Sequence, residues 1–116
     1  MRKKTIVAVG TGADTKHDFG TLFAQYPAVI ASLPQTFTSH QFILRLAQWN
    51  QKAYVEALYA YRDDARPFNI VHSILARHLH ACSEVELVST DAPSGNIFGE
   101  ADVCAVWRKR EKTQSK

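Results

Sequence analysis

Five histidines and two cysteines are the side chains of this 116-residue sequence best suited to hold a metal or act as base or nucleophile. Two ligands on one helix face must stand three or four residues apart. His72 and His78 are six apart, while His78 and His80 are two apart and point to different sides. No Asp or Glu lies between Pro67 and Cys82. A metal would need His17 or His40 brought in from elsewhere, so no metal site is expected. Cys82 and Cys104 form no C-x-x-C pair, which removes a zinc ribbon and a thioredoxin-type site. Two buried, reduced thiols are expected, with a disulfide as the alternative. Ser73 beside His72 makes no Ser-His-Asp or Cys-His arrangement, so no catalytic residue is assigned.

Ile6-Val7-Ala8-Val9-Gly10-Thr11-Gly12 has the strand and opening glycines of a nucleotide-binding turn. Position 15 is Thr where the third glycine belongs, and no second βαβ unit follows. The stretch reads as a strand or loose arm. An enzyme is not expected, and nothing implies a cofactor or a small-molecule substrate.

The formal net charge is +3, with 14 Lys and Arg against 11 Asp and Glu. A basic balance suggests a polyanionic partner, and its distribution tests the idea. Residues 1–16 hold Arg2, Lys3, Lys4 and Lys16 against Asp14, and residues 107–116 hold Arg108, Lys109, Arg110, Lys112 and Lys116 against Glu111. Residues 83–106 hold Glu84, Glu86, Asp91, Glu100 and Asp102 with no basic residue. The excess therefore belongs to the two ends. No apolar run approaches the ~20 residues of a membrane span. The four apolar residues after Arg2-Lys3-Lys4 fall short of a signal-peptide core. A cytoplasmic location is expected, and the short form fits a bacterial protein.

Hydrophobic residues make up 46% of the chain, enough for one globular core. Phe19, Leu22, Phe23, Tyr26, Val29, Ile30 and Leu33 recur at helical spacing, after Asp18 and before Pro34. Pro27 inside that run predicts a kink or two short helices. Gln35-Thr36-Phe37-Thr38 is β-prone, and Ser39 is the expected N-cap of the next helix. Its stripe continues from Phe42 to Tyr61, with Asn50 near the centre predicting one satisfied amide or a break. Arg62–Arg66 reads as a turn, and Pro67 suits the first turn of a third helix over 67–82. There Ile70, Val71, Ile74, Leu75, Leu79 and Cys82 are the apolar side, with His78 packed among them. Val85 and Leu87 begin a half-buried strand. Turn formers fill 91–96, Gly99 suggests a bulge, and Val103, Ala105 and Trp107 line one face of a second strand.

These elements give an α+β chain: a three-helix core with a C-terminal β-hairpin. Residues 1–17 read as an N-terminal arm, 18–107 as the domain and 108–116 as a basic mobile tail. Helix, short strand, helix, turn, helix and hairpin in this order resemble the winged helix-turn-helix architecture. The resemblance implies that 67–82 is the reading helix and 90–102 the wing. It further implies a DNA-binding transcriptional regulator acting on double-stranded DNA. Asn69, His72, Ser73 and His80 would face base edges with Arg77 beside them, and Arg108, Lys109 and Arg110 would neutralise phosphates. Thr36, Thr38, Ser39 and His40, opening the preceding helix, could meet phosphate as well. The acidic wing argues the other way. The alternative is a protein-interaction or homodimerisation module on the same scaffold, using Leu44, Val55 and Tyr59 unless the first helix covers them.

Overall fold

In the computed structural model, which describes residues 16–110, the stripe that begins at Phe19 folds as two short helices. They are α1 (Gly20–Phe23) and α2 (Tyr26–Ser32), with Pro27 in the first turn of α2, where its missing N–H costs no helical bond. The Asp18 carboxylate accepts from the Gly20 amide at 2.8 Å. The basic arm Arg2-Lys3-Lys4, the apolar stretch Ile6–Val9 and the tail residues Lys112 and Lys116 lie outside the described residues.

After β1 (Thr36–Thr38), Thr38 rather than Ser39 caps α3 (Ser39–Trp49). Thr38 accepts from the Gln41 amide, and the Gln41 side chain accepts from the Thr38 amide, a reciprocal capping box. Ser39 is instead buried, its hydroxyl accepting from Trp107 Nε1 at 2.9 Å. The long stripe breaks at Asn50 (φ −137°, ψ 54°), which separates α3 from α4 (Gln51–Ala60). There the Asn50 amide donates to the Leu46 carbonyl. α5 (Pro67–His78) carries Pro67 in its first turn and passes into a 3₁₀ turn over Leu79–Ala81. The described chain thus has five α-helices, because two of the three expected stripes are divided, one beside Pro27 and one at Asn50, the breaks those residues foreshadow.

β2 (Val85–Gly95) and β3 (Ala101–Lys109) form the hairpin, closed by a turn at 96–100 with Gly99 at φ 82°. The strands run past both expected limits: the turn is shorter than 90–102, and Arg108 and Lys109 belong to β3 rather than to a tail. β1 pairs antiparallel with β3, giving a three-stranded sheet in the order β1-β3-β2. The hairpin is therefore neither free-standing nor strictly C-terminal. The core joins Leu22, Tyr26 and Val29 to Phe42, Ile43 and Leu46, to Val71, Leu75 and Leu79, and to Phe37 and Trp107 of the sheet. The Tyr26 hydroxyl donates to the Leu75 carbonyl at 2.6 Å and ties the first helical unit to α5. Among the described residues no helix is long and apolar enough to cross a membrane.

Candidate functional site

α5 presents its polar side to an open cleft of about 320 Å³ that the first turn of α3 and the hairpin also line. Asn69, Ser73 and Arg77 follow one another at four-residue spacing along its solvent side, and His80 extends the line. All four are exposed and line the cleft. Hydrogen bonds and ion pairs among the described residues engage His40, His72, Arg108 and Arg110. They do not engage the side chains of Asn69, Ser73, Arg77 or His80, which leaves these donors and acceptors available to a partner.

The hairpin is fastened along the border of this face at three points. Phe98 meets Phe68 edge-on at 4.9 Å near the start of α5. His40 Nδ1 lies 3.2 Å from the Ser94 hydroxyl, and its Nε2 lies 4.0 Å from the Asp102 carboxylate. Trp107 meets the His80 ring edge-on at 4.8 Å at the far end. The side chains of Ser39 and His40, expected near phosphate, are thus committed to β3 and the hairpin.

His72 does not belong with the exposed stripe. Its Nε2 lies 2.6 Å from the Tyr54 hydroxyl, and the two rings stack. Burial, with a smaller repulsion from His40, pulls His72 down to about 4. Burial likewise pushes the Tyr54 hydroxyl up to about 12, so near neutral pH the pair is an uncharged imidazole hydrogen-bonded to an uncharged phenol. His78 is a packed histidine, stacked on Phe23 at 3.6 Å and held below its ordinary range by burial.

The unfolded chain binds protons at His72 below about pH 6.5, whereas the folded chain does so only near 4. Stability should therefore fall as pH drops through that window. Thermal melts between pH 8 and 4 should show this loss, and His72→Gln should flatten it. An unchanged slope in the variant would remove His72 as a cause.

Arg108, Lys109 and Arg110 do not join the α5 stripe. Phe37 and Trp107 are paired across β1 and β3 and point into the core, so their neighbours Thr36 and Arg108 take the opposite sheet face. There Arg108 pairs with Glu86 at 2.7 Å, and Arg110 lies 3.6 Å from the same carboxylate. Lys109 reaches the Ala31 carbonyl at 3.3 Å. Only the strand register discloses these partners and positions.

Residues 16–110 contain nine basic and nine acidic side chains, so the net charge of +3 resides in residues 1–15 and 111–116. Cys82 and Cys104 are both free and half-buried. Among the described residues no group of three or more His, Cys, Asp or Glu is placed to hold a metal ion. No protein-family model, curated protein or solved structure matches this chain.

Proposed function

We propose that this chain is a winged-helix-like DNA-binding module, of the kind that regulates transcription, with α5 as the reading element. The reading rests above all on the exposed stripe Asn69–Ser73–Arg77–His80, whose side chains have no hydrogen-bond or ion-pair partner among the described residues, carried by a helix whose other side is locked into the core. The order of elements and the β1-β3-β2 sheet support the scaffold. Asn69 and Arg77 are eight residues apart, about 12 Å along a helix axis. That length matches three to four base-pair steps of about 3.4 Å. An amide can bond bidentately to the adenine edge and a guanidinium to the guanine edge, while a serine hydroxyl serves either.

Phosphate attraction has a different source. The described body has no net charge, Asp91, Glu100 and Asp102 of the hairpin being among its nine acidic side chains. Arg2, Lys3, Lys4, Lys112 and Lys116, which lie in the end segments, supply the cations for phosphate in this reading. Fluorescence anisotropy with a random-sequence duplex tests it. The affinity should fall with salt at a log–log slope of about −3 or steeper, corresponding to at least about three neutralised phosphates. No binding at the lowest salt would overturn it.

A second reading has its own observation. Trp49, Val55 and Tyr59 along α3 and α4 are 55%, 59% and 63% exposed, and α1 and α2 do not cover Leu44 or Val55. Such apolar surface suits a protein partner or a second copy of the chain. Light scattering that returns a dimer would favour this reading; a monomer at high concentration would count against self-association.

A further inference from the structure

A second cleft, of about 980 Å³, lies between α1 and the C-terminal half of α5, on the other side of Arg77 and His80 from the hairpin. We propose that it binds an amphipathic organic carboxylate, and that the bound carboxylate takes Arg77 away from the α5 stripe. The second half of this inference rests on the DNA reading above; the first half does not.

The cleft lies within the size range of small-molecule sites, roughly 300–1,000 Å³. Phe23, Ile74 and Ala81 give it apolar walls that would cover the body of a ligand. Of its charged groups, Lys16 is held by Asp64 at 2.9 Å, and Asp18 accepts from the Gly20 amide. Arg77 has no ion-pair partner among the described residues. One guanidinium matches one carboxylate through two parallel hydrogen bonds. Asp18 also lines the cleft, so a singly charged carboxylate meets less repulsion there than a doubly charged phosphate. His78, stacked on Phe23, contributes a ring face rather than a cation.

Arg77 lines both clefts. A guanidinium bonded to a carboxylate on the α1 side cannot also bond to a guanine edge on the hairpin side. The two ligands should therefore oppose each other, and the coupling must be reciprocal.

The test uses the full 116-residue chain and two probes with the same ring and opposite charge, indole-3-acetate and tryptamine. In ¹H–¹⁵N spectra of the protein alone, indole-3-acetate should give saturable shifts centred on Phe23, Ile74 and Arg77. Tryptamine should not. Arg77→Gln, at an exposed position, should keep its dispersed spectrum and weaken indole-3-acetate at least tenfold. Equal binding of tryptamine, full binding in Arg77→Gln, or no saturable shift would overturn the site. Saturating indole-3-acetate should then weaken duplex binding at least fivefold. Binding of the acid with unchanged duplex affinity would overturn the coupling alone. Absence of any duplex binding would strike the DNA reading and leave the site to be judged on the spectra.

Discussion

Trp107→Ala is expected to remove most of the stability of the domain. The indole is 2% exposed, and its backbone is paired with Phe37 on one side and Leu87 on the other. Its Nε1–H donates to the buried Ser39 hydroxyl, and its ring supports His80 at the end of the stripe. Truncating a buried aromatic to alanine costs about 3–5 kcal/mol through lost burial and the cavity left behind. Leaving Ser39 without its donor adds about 1–3 kcal/mol. Small domains have about 5–15 kcal/mol in total, so the loss is of the same order as the whole stability of the domain. Trp107→Phe keeps most of the packing and should lose chiefly the hydrogen bond. Urea denaturation of the three proteins measures the order: wild type, then Phe, then Ala. A midpoint for the alanine variant close to that of wild type would mean that Trp107 does not join the sheet to α3.

Arg77→Ala should weaken binding to a duplex selected for tight binding from a random-sequence pool about 10- to 100-fold, while leaving the urea midpoint nearly unchanged. The residue is exposed, so its loss opens no cavity. A bidentate arginine contact to guanine is worth about 1–3 kcal/mol of discrimination, which sets the size of the effect. Arg108→Ala is the matched control. That guanidinium already pairs with Glu86 on the opposite sheet face, so its removal should change affinity less than about twofold. Anisotropy titrations of both variants on one duplex separate the outcomes. Equal losses would mean that bulk charge, and not the α5 face, carries the binding.

Amphipathic periods make most of the helices and strands legible in the sequence itself. The stripe through Phe19–Leu33, the problem posed by Pro27 and Asn50, and the helical start at Pro67 all follow from local spacing and backbone chemistry. Local rules are less able to choose between adjacent hydroxyls. Thr38 caps α3 because Gln41 can return the bond, while Ser39 turns inward to Trp107, sixty-eight residues away. The site depends still more on distant pairings. By spacing alone His72 belongs with the polar residues of an open face; Tyr54, on another helix, takes it out of that set. Arg108 and Arg110 read as a free basic tail because their spacing carries no sign of Glu86 across the strand. The meeting of Phe68 with Phe98, which brings the hairpin over α5, likewise has no local signal.

In the function proposed above, the Asn69–Ser73–Arg77–His80 face is where this protein meets DNA. A ¹H–¹⁵N titration of the full chain with a duplex selected from a random-sequence pool decides this. Shifts and broadening should concentrate at those four residues and their immediate neighbours, with Trp49, Val55, Tyr59 and Glu86 unmoved. Shifts confined to Trp49, Val55 and Tyr59, or a spectrum that does not change at all, would contradict it.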